Sequence, residues 1–189
     1  MQLLYLLNNA TAKFFSFSNF TNRTFGIRQL VPEDVNAITA LRSNELVNRH
    51  LGRQKTTTTE EALLFIDKID KGISNNQSIY WVIALQENNF LIGTICYWNI
   101  VAEKDVAEIG YELHPDYHGK GIMQQAIATV IDFGFNIMQL KAITAFTSPA
   151  NIASVKSLER NNFKIVTAGK RPDELDETAD GYAVYILEK

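Results

Sequence analysis

The sequence predicts an α+β fold in which helices flank a mixed, mostly antiparallel sheet. Two neighbouring apolar segments, 79–85 and 90–98, are joined by a short polar turn, as in an antiparallel hairpin. Strands and helices alternate along only part of the chain, whereas a doubly wound parallel sheet requires alternation throughout. The length of 189 residues suits one domain, which can bury about 70% of its unfolded surface.

The first predicted elements are a strand and two helices. Residues 25–30 alternate between apolar and polar, which predicts a strand. Pro32 stands at the first position of a predicted helix, and the two acidic residues after it favour a helix N-terminus. Thr58 and Glu61 have the spacing of a capping box ahead of a second amphipathic helix, which is predicted to end near Gly72.

A central strand, turn and helix follow, and two late strands complete the chain. Residues 106–113 nearly alternate, which predicts a strand, and apolar residues recur at helical spacing from Ile122 onward. The polar run 170–181 predicts a loop. The remaining predicted elements are a strand at 142–146, a helix at 151–160, and strands at 163–167 and 182–187.

The turn after strand 106–113 is the most informative stretch. The unpaired N–H groups in the first turn of a helix attract anions together with the helix dipole, and glycines let the backbone approach a phosphate. We therefore predict a pyrophosphate cradle at the start of the central helix. Its residues are His118, Gly119, Lys120, Gly121, Ile122 and Met123.

Two common phosphate-binding loops do not fit this turn. A P-loop requires a serine or threonine after Lys120, where the sequence has Gly121. The dinucleotide-binding fingerprint requires a third glycine where Gln124 stands. Taken alone, the Gly-x-Gly pattern is also typical of an ordinary turn before a helix.

Composition and charge exclude several classes of protein. The net charge is −3 and the sequence pI is about 5.6, with no block of lysines or arginines, which argues against a nucleic-acid partner. The one cysteine, Cys96, lies in an apolar strand pattern and excludes an intramolecular disulfide. The three histidines lack ligand spacing, so no metal is expected.

Residues 1–23 are an N-terminal extension of unknown role ahead of a single domain at 24–189. The apolar run 3–7 has five residues with no basic segment before it, so we expect neither a signal peptide nor a membrane span. We therefore expect a cytoplasmic protein without a membrane partner. The aromatic residues of the extension indicate an extra strand, an arm that reaches a second copy in a homodimer, or a mis-assigned start codon.

Residues on either side of the central turn make the pattern specific. Glu108 lies on the strand before it. Asn151, Ser154 and Phe163 follow in the order found in a known family. The chain resembles the GNAT superfamily of acyl-CoA-dependent N-acetyltransferases, and most of all the RimJ/RimL branch, which acetylates the N-termini of ribosomal proteins. The resemblance extends over about residues 25–188.

The loop pattern of the family, Gln/Arg-x-x-Gly-x-Gly/Ala, falls on His118, Gly121 and Met123, so the sequence departs from it at the first and last positions. An imidazole can still donate a hydrogen bond to a phosphate, and a backbone N–H does not depend on its side chain. The resemblance therefore implies that residues 118–123 hold the diphosphate of acetyl-CoA, the co-substrate.

The resemblance also implies a splayed pair of strands. In GNAT enzymes two neighbouring parallel strands separate at a bulge, and the pantetheine arm pairs with the free backbone of the first strand. Here those strands are 106–113 and 142–146, and the pairing residues are Tyr111, Glu112 and Leu113. A backbone N–H there would also stabilise the oxyanion that forms when an amine attacks the thioester.

Glu108 is the candidate general base, at the spacing ahead of His118 that acetyltransferases of the histone type use. A polar strand residue paired with a neighbour is the alternative role, and RimL-like enzymes offer a loop carboxylate instead, here Asp173 or Glu174. An α-amine of pKa about 7.8 is roughly 14% neutral at pH 7, whereas a lysine amine of pKa about 10.4 is about 0.04% neutral. N-terminal acceptors therefore demand less of the base.

The candidate general acid differs from the common one. Many family members place a tyrosine on the late helix where this chain has Leu158, so that acid is absent. In RimL-like enzymes a serine falls where Ser154 stands, and we assign the role to Ser154. Asn151 is expected to contact the pantetheine arm, to cap the helix, or to do both. Asn162 replaces the usual glycine before Phe163 and tolerates the left-handed conformation of a helix end.

The resulting prediction is an acetyl-CoA-dependent N-acetyltransferase that works by direct attack in a ternary complex, since no cysteine lies near the motif. A protein N-terminal α-amine is the first choice of acceptor. A small amine, such as a polyamine or an amino sugar, and a catalytically silent acyl-CoA-binding sensor are the alternatives. The polar stretch 44–55 is either a solvated segment or one wall of the acceptor groove.

Overall fold

The structure, a computed structural model, describes residues 24–166 and 182–189. The strands are β1 (Phe25–Gln29), β2 (Ile79–Leu85), β3 (Leu91–Val101), β4 (Val106–Leu113), β5 (Ala142–Thr147), β6 (Lys164–Ile165) and β7 (Ala183–Glu188). The helices are α1 (Val35–Ser43), α2 (Glu45–Asn48), α3 (Thr59–Ser74), α4 (Ile122–Asn136) and α5 (Ile152–Arg160). The described strands form one sheet in the order β1-β2-β3-β4-β5-β7-β6, in which only β4 and β5 run parallel. The predicted mixed, mostly antiparallel sheet is confirmed.

Helices cover both faces of the sheet, and each face has its own apolar core. One core joins the sheet to α4 and α5 and includes Ile127, Val130 and Leu158, none of which is exposed. The other joins the sheet to α1 and α3 through Ile38 and Ile66. Burying such a side chain contributes about 1.5–3 kcal/mol, so these contacts hold the helices against the sheet.

The predicted helix start at Pro32 is a 3-10 turn, Pro32–Asp34, and α1 begins after it. Asp34 fixes this turn, because its carboxylate accepts from the Val31 amide at 3.0 Å and from the Arg28 guanidinium at 2.6 Å. The first turn therefore points its carboxylate back toward β1 before the helix starts.

The predicted capping box of α3 is confirmed. The Glu61 amide donates to Thr58 Oγ1 at 3.2 Å, and the Glu61 carboxylate accepts from the Thr58 amide at 3.1 Å. The helix ends at Ser74, two residues beyond Gly72, and Asn76 adopts the left-handed conformation (φ 56°) after it. Asparagine rather than glycine thus terminates this helix.

The C-terminal half keeps the predicted order, with a shorter strand β6 in place of 163–167. The predicted loop 170–181, which contains Asp173 and Glu174, and the N-terminal extension 1–23 lie outside the described residues. In the part of the chain that is described, no helix is both long and apolar enough to cross a membrane.

Strands β4 and β5 separate after a short paired stretch. Their pairing runs from Val106–Ala142 to Glu108–Thr144 and goes no further within the described chain. Glu108 therefore lies at the closed end of a splay, and residues 109–113 form its free edge on β4.

A bulge lies beside this splay, on β3. Between Trp98 and Val101, β3 has one residue more than the facing segment of β4, from Glu108 to Val106. Asn99 adopts the left-handed conformation (φ 44°) within the bulge. The expected splay is thus present, but the register shift is on the neighbouring strand and not within the splayed pair.

Candidate active site

The free edge of β4, the loop after it and the start of α5 line one cleft of about 340 Å³. The opposite wall comes from α2 and the residues after it, including Leu46 and His50. All residues predicted to hold the cofactor lie in this lining except Lys120. The fold therefore brings together residues from three distant parts of the sequence.

Two glycines shape the loop between β4 and α4. Gly119 and Gly121 both have φ of 73°, a conformation that favours glycine, and Gly121 is the N-cap of α4. A Cβ at Gly119 would meet no atom within 4 Å, and one at Gly121 would come no closer than 3.7 Å, to Gln125 Nε2. The space over the loop is open to a ligand.

The loop also presents unpaired amides. Across the described residues, no backbone carbonyl accepts from the amides of Gly119, Lys120 or Gly121. The Gln125 amide donates to the Gly121 carbonyl at 3.2 Å, which leaves the amides of the first turn of α4 without intrahelical partners. These N–H groups and the helix dipole suit an anion.

His118 is tied to the protein through both its backbone and its ring. Its amide donates to the Pro115 carbonyl at 3.0 Å, and its Nε2 lies 2.9 Å from the Leu113 carbonyl oxygen. A carbonyl can only accept, so Nε2 carries a proton and donates. Nε2 therefore fixes the loop to β4 and is not available to a phosphate. Only Nδ1 of the imidazole remains to contact one.

Main-chain groups alternate in direction along β4. The His114 amide donates to β3 at 2.8 Å, so Glu112, two residues away, also directs its main-chain groups toward β3. Tyr111 and Leu113 direct theirs toward the gap left by β5, and the Leu113 carbonyl accepts from His118. Of the three predicted pairing residues, Tyr111 offers both groups to a ligand, Leu113 offers its amide and Glu112 offers neither.

Glu108 is a buried carboxylate, 7% exposed, on the face of β4 opposite to the Tyr111 side chain. Asn99 Nδ2 in the bulge donates to it at 2.8 Å, and the Trp98 side chain also hydrogen-bonds to it. Burial raises the pKa of Glu108 above its ordinary value, and these hydrogen bonds oppose the rise. Glu108 does not line the cleft, but it lies at the closed end of the splay beside half-exposed Trp98.

Glu112 carries a second buried carboxylate on the same face as Glu108, although the sequence predicts only a backbone role for it. Arg53 Nη2 donates to this carboxylate at 2.5 Å, and Arg42 Nη1 lies 4.0 Å away. Burial and the neighbouring Arg53 lower the pKa of Arg42. Alternation along β4 indicates the face on which Glu112 lies, but no local signal indicates its arginine partners.

Ser154 and Asn151 lie at the start of α5. Asn151 Oδ1 accepts from the Ser154 amide at 3.2 Å, so the predicted N-cap is confirmed. Ser154 Oγ lies 2.9 Å from the Tyr111 hydroxyl oxygen, a contact that the sequence does not indicate. Leu158 is fully buried and belongs to the core, and Asn162 has the predicted left-handed conformation (φ 65°).

Positive charge dominates the described lining of the cleft. Lys156 and Arg160 of α5 contribute to it, and Glu112, the carboxylate among these lining residues, is already paired with Arg53. A cleft of this charge suits a ligand that carries phosphates.

Neither a metal site nor a reactive thiol is found in the described residues. No group of three or more His, Cys, Asp or Glu is placed there to hold a metal ion. Cys96 Sγ contacts the Gly110 carbonyl at 3.5 Å, and burial raises the pKa of its thiol to about 12. The thiol therefore stays protonated at neutral pH and does not suit the transfer of an acyl group.

Comparison with known proteins identifies the family. Residues 24–164 match the family described as the acetyltransferase (GNAT) domain. A protein of Bacillus subtilis (strain 168), described as the uncharacterized N-acetyltransferase YoaA, is 30% identical over 138 residues, which are 73% of this chain and 78% of that protein. The chain belongs to the GNAT family and is an acetyl-CoA-dependent N-acetyltransferase.

Similar solved structures include two acetyltransferase-fold proteins from other bacteria. The ribosomal-protein-S5-alanine acetyltransferase from Vibrio fischeri has a TM-score of 0.71 at 23% identity, over 87% of this chain and 92% of that chain. Mycobacterium smegmatis RimJ in complex with CoA-disulfide has a TM-score of 0.74 at 20% identity, over 87% of this chain and 81% of that chain. These likenesses establish the shared fold.

Proposed function

We propose that this protein transfers the acetyl group of acetyl-CoA to a protein N-terminal α-amine by direct attack in a ternary complex. The strongest support is that a strand edge without a strand partner and a loop with unpaired amides lie next to each other in a single cleft. Among the described strands, none pairs with the β5-facing edge of β4 from residue 109 onward, and the loop presents unpaired amides between Gly119 and Met123. The first feature suits an amide-bearing arm and the second suits a diphosphate.

The residues present fit acetyl-CoA. Gly121 has no Cβ in the space where a diphosphate would lie, and Lys156 and Arg160 add positive charge to the cleft. Tyr111 directs its amide and carbonyl toward the gap, where the pantetheine arm would pair with them. When bound, acetyl-CoA supplies the thioester electrophile. A main-chain N–H in the gap, such as that of Leu113, would donate to the developing oxyanion.

Glu108 would act as the general base, directly or through a water. It lies where β4 and β5 part, and burial raises its pKa toward the working pH, which makes the carboxylate a stronger base. The alternative carboxylates, Asp173 and Glu174, lie outside the described residues. An N-terminal amine is already partly neutral at pH 7, so a carboxylate base suffices.

Ser154 would donate a hydrogen bond to the departing sulfur, in the role that a tyrosine at Leu158 would otherwise perform. It lines the cleft on α5, and its amide is held by the Asn151 side chain. Asn151 lines the cleft as well, so the cap and a contact with the pantetheine arm are compatible.

The wall opposite the loop favours a peptide over a polyamine. It presents Leu46 and Leu51, which are 53% and 36% exposed and suit the apolar side chains of a peptide. A polyamine requires unpaired carboxylates, whereas Glu112, in the described lining, is paired with Arg53. The neighbour named as a ribosomal-protein-S5-alanine acetyltransferase agrees with this choice.

The test is release of the CoA thiol with a panel of acceptors. Peptides with a free N-terminus should support turnover, and the same peptides with an acetylated N-terminus and an internal lysine should not. Turnover with polyamines or amino sugars alone would contradict the proposed acceptor. Silence across the panel, together with tight binding of acetyl-CoA, would indicate a sensor.

A further inference from the structure

Two hydroxyl groups meet inside the cleft from opposite sides of the splay. Tyr111 comes from β4 and Ser154 from the first turn of α5, and their side-chain oxygens lie 2.9 Å apart. The Tyr111 oxygen also lies 3.4 Å from the Ser154 carbonyl oxygen. The contact joins the strand that would bear the pantetheine arm to the helix that carries the candidate acid.

The direction of this hydrogen bond follows from the chemistry of the two groups. A phenol, with a pKa of about 10, is a better donor than an aliphatic alcohol. The Ser154 carbonyl can only accept, which also favours a Tyr111 proton directed toward the serine. The Ser154 hydroxyl then accepts from Tyr111 and keeps its own proton for a third partner in the cleft.

We propose that Tyr111 is a positioning residue for departure of the thiol: its hydroxyl donates to Ser154 Oγ and directs the Ser154 proton toward the leaving sulfur. The inference rests on the proposed function, because it requires acetyl-CoA in the cleft with its sulfur beside Ser154. Tyr111 would thus substitute for the tyrosine that many family members have at the position of Leu158. Its phenol reaches the site from β4 instead of from α5.

The step balances without net loss of a proton from either hydroxyl. The amine nitrogen bonds to the carbonyl carbon, the C–S bond breaks, and its electron pair stays with sulfur. One amine proton goes to the general base before attack, and the second ends on sulfur. Burial raises the pKa of Tyr111 to about 12, above the value of about 8.5 for a thiol, so the hydroxyls stabilise the departing thiolate by hydrogen bonding.

Other ionisable groups also act on a sulfur in this cleft. Those described residues that line it or lie beside the hydroxyl pair are Lys156 and Arg160 on α5, Glu112 on β4, Tyr117 and His118 after β4, His50 on the opposite wall and Tyr185 on β7. Substitutions that remove only a hydroxyl leave all these charges in place. A comparison of such variants therefore isolates the contribution of the hydroxyl pair.

The test measures the thiol pKa of bound CoA, from the ultraviolet absorbance of the thiolate against pH, with binding checked by calorimetry. Ser154→Ala should raise this pKa by about one unit, a tenfold change in the ionisation constant, because a hydrogen bond to a charged group is lost. Tyr111→Phe should raise it by about half as much. The double variant should match Ser154→Ala, because Tyr111 acts only through Ser154.

Tyr97→Phe is the matched control. It also removes a buried tyrosine hydroxyl, which donates to the Val130 carbonyl at 2.8 Å outside the cleft, and it should leave the thiol pKa unchanged. If Tyr111→Phe does not fold, 3-fluorotyrosine introduced at position 111 alone provides a more acidic donor and should lower the thiol pKa.

The inference would be overturned if the thiol pKa of bound CoA did not change in the variants at position 111. It would also be overturned if the pKa shift in the double variant equalled the sum of the two single shifts. Failure of the unmodified protein to bind CoA would refute the proposed function itself. Binding with no effect of Tyr111 refutes the positioning role alone.

Discussion

His118 fastens the glycine-bearing loop after β4 to the edge of β4, because its Nε2 donates to the Leu113 carbonyl at 2.9 Å. The two residues flank the 3-10 turn Pro115–Tyr117 and close it from both sides. The orientation of the amides from Gly119 onward thus depends on a side chain that also occupies a main-chain acceptor of β4. Loop and strand edge form one unit.

Loss of this contact should weaken cofactor binding. His118→Ala should lower the affinity for acetyl-CoA about 5-fold, since one hydrogen bond contributes about 1 kcal/mol. His118→Gln retains an N–H donor and serves as the control, with a smaller loss. Calorimetry provides the affinities, and an unchanged value in the alanine variant would show that the loop keeps its shape without the imidazole.

Gly121→Val should abolish measurable binding of acetyl-CoA. Valine is strained at φ of 73°, and its branched side chain would occupy the open space over the loop. Gly26→Val is the matched control, because Gly26 lies on β1 with no atom within 4 Å of the added Cβ, and a strand accepts valine. Undiminished affinity in a folded Gly121→Val variant would refute the cradle.

Glu108→Gln should lower kcat by about 10²- to 10⁴-fold and leave the affinity for acetyl-CoA unchanged, as expected for a lost general base. Glu103→Gln, in the exposed turn before β4, is the control and should retain full activity. Steady-state rates across pH measure the effect. Near-normal rates in Glu108→Gln would show that Glu108 is not the general base. Asp173 and Glu174 would then be the next residues to replace.

The same substitution should change how stability depends on pH. Burial raises the pKa of Glu108, so the folded protein favours the protonated carboxyl and loses stability as the pH rises from about 4.5 through the raised pKa. The glutamine variant stays neutral. The free energy of unfolding of the glutamine variant minus that of the unmodified protein, measured by urea denaturation, should increase over this pH range and then level off. A difference that stays constant with pH would contradict the burial argument.

Arg53→Met should destabilise the protein by about 3 kcal/mol, because it removes the nearest positive charge from the buried Glu112 carboxylate and leaves it only Arg42 Nη1 at 4.0 Å and the Thr94 hydroxyl at 3.3 Å. Adding Glu112→Gln should recover most of this loss. Lys55→Met breaks an exposed ion pair instead and should cost less than about 1 kcal/mol. Additive losses in the double variant, measured by denaturant unfolding, would show that the pair is not coupled.

The parts of the fold that depend on neighbouring residues could be predicted from the sequence. The capping box at Thr58 and the N-cap at Asn151 each involve partners three residues away, where residue type decides the geometry. Alternation along β4 likewise places Glu108 and Glu112 on one face. The order of strands and helices follows from such local signals.

The missed features join residues that are far apart in the chain. Arg53 and Glu112 are separated by 59 positions, and Tyr111 and Ser154 by 43, so their contacts depend on how whole elements pack. The bulge at Asn99 depends on the register between β3 and β4, which no single segment encodes. The alternation that predicts side-chain faces also reverses main-chain directions from one residue to the next, which is why Glu112 directs its main-chain groups toward β3 whereas Tyr111 directs its own into the gap.

A crystal structure with CoA bound tests the central claim most directly. The account predicts diphosphate oxygens within about 2.7–3.2 Å of the amides between Gly119 and Met123, and a pantetheine arm paired with Tyr111 in the gap beyond Glu108. A diphosphate bound elsewhere, with these amides facing only solvent, would contradict it.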